Sequence, residues 1–395
     1  MKGTDIRKLM RQNIRDYAMY IALVFIMGIF AVMTQGVFIS SRNISNLLNQ
    51  TGYIAVLAVG MTLVIVIRHF DMSVGFLSGF LGAIAAIAMV GWGFPSWLAI
   101  LLVLVLGIIA GLITAFPIAR LGIPAFVATL AGWLIYRGAL LLVTLRTGTI
   151  IIPDKFFDAI GNGYIPDILP TDALIPGMHK LTLLLGLIAA VWFIARAVID
   201  RRNKKAYDFE VLSMDLFVVK MVFMTVVIGA ITWVLAGYNG LSWTVVILIV
   251  IVLVYDFIMN QTALGRRIYA VGGNPEAAEL SGISVKKITF LVFGSMGLLT
   301  GVCGVLFASR LQSATTTGGT LFELDAIASA YIGGVSAAGG VGKVTGAIIG
   351  ALVYMTLMNG MNLLGTDISL QYIIRGAVLA AAVIFDVTTS KAKRY

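Results

Sequence analysis

Charge is scarce in this chain. Of 395 residues only 12% are Asp, Glu, Lys or Arg, whereas 60% are apolar, and the mean hydropathy is +1.01. A soluble domain carries about 25% charged residues, so water is excluded as the solvent for most of the surface and lipid is what remains. Cysteine occurs once, at Cys303 inside an apolar run, which excludes a disulfide framework. Histidine occurs twice, at His69 and His179, too few and too far apart for a structural zinc site. No paired carboxylates, HExxH or Ser/His/Asp grouping is present, so catalysis lacks a residue set and the chain does not read as an enzyme. The start, MKGTDIRKLMRQNIRDY, is polar and basic, and the apolar run behind it is long enough for a membrane helix. It is therefore expected to stay as an anchor rather than to be cleaved as a signal peptide.

What is present is a succession of apolar runs of the length that crosses about 30 Å of hydrocarbon. They cover 18–34, 52–68, 73–91, 97–119, 124–145, 181–199, 216–237, 242–260, 288–308, 344–363 and 369–386, with a shorter stretch at 324–337. The fold class is all-α and polytopic, with ten to twelve transmembrane helices. With the N-terminus inside, the inside segments collect Lys2, Arg7, Lys8, Arg11, Arg15, Arg68, Arg120, Arg201, Arg202, Lys204, Lys205, Arg266, Arg267, Lys286, Lys287, Lys343, Lys391, Lys393 and Arg394. The outside segments keep only Arg42, Arg146, Lys155, Lys180 and Arg310. Cytoplasmic loops attract Lys and Arg. The asymmetry therefore places both termini inside, favours counting 324–337 as a crossing, and accounts for the net charge of +10 without a nucleic-acid partner.

The expected organisation is a cytoplasmic N-terminal segment 1–17, one transmembrane domain over 18–388 and a cytoplasmic tail 389–395. Within it lie an outside loop 146–180, a charged inside loop 200–215 and an inside loop 261–287. Glycines four apart (Gly75/Gly79, Gly107/Gly111, Gly297/Gly301, Gly342/Gly346/Gly350) share a helix face and read as helix packing. The string GGVGKVTG at 339–346 imitates a phosphate loop, but Ala337 and Val344 occupy the positions that require Gly and Ser or Thr. Ionisable groups at run ends are Asp71, Arg137, Asp256, Glu323, Asp325, Arg375 and Asp386. Such groups either snorkel to the interface or mark function.

Loop 261–287, QTALGRRIYAVGGNPEAAELSGISVKK, contains the start and stop of a short helix. Asn274 can cap it, Pro275 suits its first position, Glu276 suits its positive end, and Gly282 can stop it. A surface helix preceded by Arg266 and Arg267 fits either a docking element or an amphipathic connector.

The spacing Glu276-Ala277-Ala278, three residues, then Gly282 resembles the coupling loop of ABC importer permeases. The fuller string GRRIYAVGGNPEAAELSGI resembles that of bacterial sugar permeases of the ribose/xylose class. FDMSVG at 70–75, PAFVATLAGWLIYRG at 124–138 and ELDAIASAYIGGVSAAGGVGKVTGAIIGA at 323–351 are similar to that family's segments in the same order, across residues 40 to 388. The likeness is nearest to the xylose and multiple-monosaccharide permeases. Where the family usually has Gly-Gly or a small polar residue before its Ile-Asp, this chain has Arg68-His69 before Phe70-Asp71, and Met72 replaces the usual Leu.

The resemblance implies a type II ABC importer permease fold in the bacterial inner membrane, moving a pentose or hexose inward. Its implied partners are a second copy of the permease, a cytoplasmic ATPase, a periplasmic sugar-binding protein and membrane lipid. This chain would bind no cofactor, ATP and Mg belonging to the ATPase. Coupling would fall to Arg266, Arg267, Asn274, Pro275, Glu276, Ala277, Ala278 and Gly282. A neutral sugar needs uncharged hydrogen-bonding groups along its path. The candidates are Asp71, Ser73 and Gly75 at a helix break, Asn46, Asn49 and Gln50 before the second helix, and Asn359 and Asn362 near the end of a late one. Asp154, Asp158, Asp167 and Asp172 in the outside loop either contact the binding protein or are simply solvated. The rival is a proton-coupled secondary transporter of a small polar solute, which would have buried carboxylates in paired halves.

Overall fold

A computed structural model describes residues 14–145, 147–168, 175–207, 211 and 213–392. Residues 1–13 of the predicted N-terminal segment, residues 393–395 of the tail, and Arg146 and Asp172 lie outside the described residues. The chain is helical almost throughout: α1 (Ile14–Met33), α2 (Ser41–Val66), α3 (Val74–Val90), α4 (Ser96–Leu121), α5 (Ala125–Thr144), α6 (Lys155–Asn162), α7 (Lys180–Ala206), α8 (Met214–Ala236), α9 (Trp243–Gln261), α10 (Ala263–Gly273), α11 (Pro275–Leu280), α12 (Val285–Leu311), α13 (Phe322–Ile332), α14 (Val344–Leu363) and α15 (Ile368–Ala392). The only paired strands among the described residues are β1 (Ile150–Ile151) and β2 (Ser313–Ala314), antiparallel, with Ile150 opposite Ala314.

Nine of the described helices are long and apolar enough to cross a membrane: α2, α4, α5, α7, α8, α9, α12, α14 and α15. Two shorter apolar helices are Met19–Met33 within α1, and α3. The stretch expected at 324–337 forms α13, which is 11 residues long and so spans about 16 Å, half the hydrocarbon thickness. Several expectations shift. The polar residues Asn46, Asn49 and Gln50 lie inside α2, which starts at Ser41 rather than near 52. The charged segment 200–215 is helical up to Ala206, because α7 carries its basic residues on a last turn where cations suit the negative helix end. The outside loop 146–180 contains α6 and β1. By packing, the described residues fall into two compact units, one drawn from 14–38, 47–163 and 244–392 and the other from 39–46 and 164–243.

In the first unit the core lies along α2, where 89% of the apolar window is buried. Residues Ala55–Val59 and Val64–Val66 are fully enclosed, together with Val74, Phe293, Met296, Ala326 and Ala347. Small residues let the neighbouring backbones approach. Cβ atoms added at Gly107 and Gly297 would each overlap the other's carbonyl oxygen, so α4 and α12 cross in direct backbone contact. Gly350 of α14 meets the carbonyl of Ser329 on α13 in the same way. The glycine spacings therefore act as helix-packing surfaces. In the second unit α7 and α8 pair as a hairpin, and Ile165 donates its N–H to the Leu241 carbonyl at 2.9 Å.

Candidate functional site

Two constellations stand out, both in the first unit. One is the surface platform built by residues 261–287. Thr262 caps α10 by accepting from the Gly265 N–H at 3.3 Å, and Asn274 caps α11 by accepting from the Ala277 N–H at 3.1 Å. Pro275 occupies the first turn of α11, where its missing N–H costs nothing. The helix ends in a Schellman motif: Gly282 (φ +81°) donates to the Glu279 carbonyl and Ile283 to the Ala278 carbonyl, each at 2.9 Å. The sequence therefore places this helix correctly, while α10, a second helix in the same loop, carries no comparable proline signal.

The platform has a fixed inner face and an open outer one. Ile268, Val271 and Ala278 are buried in the core. Arg266, Arg267, Asn274, Glu276, Ala277 and Gly282 are exposed, and Pro275 is half-buried. Leu280, which the sequence reading passed over, is 91% exposed at the end of α11. Burial, with the Asp256 charge adding to it, raises the Tyr269 phenol above its ordinary value. It therefore stays a hydrogen-bond donor at neutral pH, and it donates to the Gly342 carbonyl at 2.6 Å.

The other constellation lies inside the helix cluster, where two helices are interrupted. Residues 67–73 break the path from α2 to α3, and residues 312–321 precede the half-length α13. Irregular backbone at membrane depth survives only when protein or a water-lined cavity surrounds it. Here protein does so, with Asp71 3% and Ser73 0% exposed. His69 packs near the Phe293 ring and Phe70 near Tyr331. Asp71 accepts from the Ser73 N–H at 2.9 Å and the Ser73 hydroxyl at 2.6 Å. Gly75, two residues on, lies directly against the Glu323 carboxylate and the Gly319 carbonyl, so the first turns of α3 and α13 meet.

Glu323 is 2% exposed, its Oε1 accepts from the Trp133 indole at 3.0 Å, and its Oε2 has no hydrogen-bond partner among the described residues. Asp325, 3% exposed, accepts from the Tyr354 hydroxyl and stands 3.4 Å from the Arg375 guanidinium. Of the predicted path residues, Asn359 donates to Gln50 at 3.4 Å. Asn49 is buried on α2 and Asn46 half-buried, while Asn362 accepts from Gln371 at 3.0 Å near the exposed end of α14. The structure thus joins Asp71, Ser73 and Gly75 to Glu323 and pairs Gln50 with Asn359.

The snorkelling alternative fails for Glu323 and Asp325, which face inward because they open a half-helix surrounded by others. It fails for Asp386 as well, which is 1% exposed and accepts from the Ala337 N–H at 2.9 Å. A Glu-x-Asp opening an apolar stretch, in a chain this poor in charge, was the available signal. Of the outside-loop carboxylates, Asp154 caps α6, and Asp158 accepts from Asn162 and Gln312.

Nine long apolar helices among the described residues, with two interruptions enclosed between them, are the architecture of a polytopic membrane protein. The chain belongs to the family described as the permease component of the branched-chain amino acid transport system, whose family model matches residues 43–383. It is 40% identical over 387 residues to the xylose transport system permease protein of Haemophilus influenzae, covering 97% of this chain and 99% of that one. It is 38% identical over 380 residues to the protein of that name in Escherichia coli K12, covering 96% and 93%. Identity to the ribose import permease protein of H. influenzae is 33% over 371 residues, covering 93% and 91%. No solved structure matches.

Proposed function

We propose that this chain is the membrane subunit of an ATP-driven importer that carries a monosaccharide, xylose-like in class, into the cytoplasm. Both termini and the 261–287 platform face the cytoplasm in this reading. Two copies form the pathway, a separate ATPase hydrolyses Mg-ATP, and a periplasmic sugar-binding protein delivers the substrate. The observation that carries it is the platform itself. Its inner face is anchored by Ile268, Val271 and Ala278, while Glu276, Ala277, Glu279 and Leu280 are turned outward and are covered by none of the described residues. An isolated Leu that is 91% exposed on a rigid, doubly capped helix suits a shallow apolar groove, and Arg266, Arg267, Lys286 and Lys287 around it suit an acidic rim.

The test is affinity purification of the tagged chain from its native membrane, followed by the same experiment with Leu280→Asp. Recovery of a sugar ATPase with the native chain, and its loss with the variant while the permease stays monodisperse, is the expected result. Buried Asp71, Glu323 and Asp325 give the proton-coupled reading its one specific support. Xylose uptake in proteoliposomes containing only this chain, abolished by a protonophore, would establish that reading and remove the ATPase.

A further inference from the structure

The platform is tied to the interior interruptions by contacts that no docking role requires. Arg68 follows the end of α2 and opens the irregular segment that leads to Asp71. Its Nε donates to the Gly272 carbonyl at 2.7 Å and its Nη2 to the Gly273 carbonyl. Those are the last two residues of α10, where the helix leaves carbonyls unsatisfied and a cation is favoured. Arg68 adopts φ +66°, a left-handed backbone that a non-glycine residue takes only when its surroundings impose it.

A third segment closes the junction. The Gly340 N–H donates to the Val66 carbonyl at 2.9 Å, and Tyr269 of α10 holds the Gly342 carbonyl. Gly340 (φ +70°) packs its backbone directly on Gly273, and a Cβ on Gly272 would overlap the Val66 carbonyl. The GGVGK string that imitates a phosphate loop is therefore a backbone clasp. It joins α10, the end of α2 and the connection between α13 and α14.

We infer that Arg68 is a positioning residue that transmits movement of the α10–α11 platform to the interrupted segment 67–73, with Tyr269 as a parallel tie to the 333–343 loop. The inference rests on the docking reading above and adds to it the route by which docking reaches the membrane interior. A guanidinium holding two carbonyls at once moves with α10 as one body, and the strained residue that carries it is the hinge before Asp71. Lysine at 68 keeps the charge but cannot span both carbonyls in a fixed fork.

The experiment reconstitutes native chain, Arg68→Ala, Arg68→Lys and Tyr269→Phe with the ATPase and sugar-binding protein recovered with the native permease. It reads three quantities: ATPase co-purification, basal hydrolysis, and uptake of labelled xylose or ribose. Arg68→Ala is expected to keep co-purification and basal hydrolysis within about twofold while uptake falls about tenfold or more, the size of a typical coupling loss. Arg68→Lys should recover part of that uptake, and Tyr269→Phe should lose about threefold, one hydrogen bond rather than two.

Uptake by Arg68→Ala within about twofold of native overturns the inference. So does a loss of co-purification as large as that of Leu280→Asp, which would make Arg68 part of the docking surface and leave the docking reading intact. Should Arg68→Ala fail to fold, the other two variants decide, and native uptake by both with the ATPase retained overturns it. If the native chain recruits no ATPase, the docking reading fails first and takes this inference with it.

Discussion

Helices α7 and α12 are both 27 residues long and nearly equally apolar, yet they occupy opposite environments: 67% of the apolar window of α12 is buried within the chain and 6% of that of α7. Hydropathy reports that each is soluble in hydrocarbon and says nothing about whether lipid or protein surrounds it. The difference lies in the small residues. Helix α12 carries Gly294, Gly297, Gly301 and Gly304 along faces that meet α4 and α3, whereas α7 carries one glycine, Gly186, set against Thr232 of α8. Without a hydrophobic drive between helices in lipid, such approach supplies the dispersion contacts that order them. The interior of the first unit is therefore specified sharply, and the α7–α8 hairpin loosely.

The comparison breaks most visibly under enlargement. Gly297→Leu would drive a side chain into the Gly107 backbone, which cannot rotate away. Overpacking ordinarily costs about 1–3 kcal/mol, and backbone obstruction puts this site at the upper end or beyond. Gly229→Leu on α8 meets nothing within 4 Å and should be neutral. Size-exclusion profiles and thermal unfolding in detergent read both. Equal melting temperatures for the two variants would show that α4 and α12 do not cross as described.

A smaller effect sharpens the same contrast for polar groups. Asp325→Ala leaves the Tyr354 hydroxyl and the Arg375 guanidinium without their acceptor inside the helix cluster. Breaking a buried pair costs about 3–5 kcal/mol. Arg375 is 27% exposed and can partly rehydrate, so about 2 kcal/mol is the expectation here. Asp325→Asn, which retains an acceptor, should lose less. Thermal unfolding of the three proteins measures it, and an unaffected alanine variant would mean that Arg375 does not depend on Asp325.

Much of this division could be read from residue order. Apolar run lengths marked every long helix, and Asn274-Pro275-Glu276 with Gly282 marked α11, because capping is chemistry confined to neighbouring residues. What stayed hidden depends on contacts distant in sequence. Arg68 reaches carbonyls some two hundred positions on, so it read as one more basic residue at a helix end. Glu323 and Asp325 stay open between interfacial and functional in the sequence because nothing local tells a half-helix wrapped by others from one ending at the membrane surface. Asn49 and Gln50 were placed before a helix because their polarity hid that α2 continues through them, buried or paired with Asn359.

The weakest expected effect concerns the rim of the second unit, where a carboxylate orders a helix start instead of a core. Asp167 accepts the N–H groups of Lys180 at 2.9 Å, Leu181 at 2.8 Å and Ile168 at 2.9 Å, with His179 Nδ1 at 3.8 Å. Burial pushes its carboxyl pKa up, but the hydrogen bonds from Leu181, Lys180 and Ile168, with His179 beside them, outweigh it and hold the group below the usual carboxylate range. A pKa depressed by folding contributes stability that is present above the unfolded value, about 3.9, and is lost as pH falls through the folded one. At neutral pH, amides at the start of α7 should therefore exchange more slowly in the native chain than in Asp167→Asn, and the gap should close as pH drops below about 4. Hydrogen exchange of peptides covering 180–190, with rates corrected for intrinsic pH dependence, reads the gap directly. A gap that persists unchanged at the acid end would mean that the negative charge on Asp167 contributes nothing to holding α7 in place.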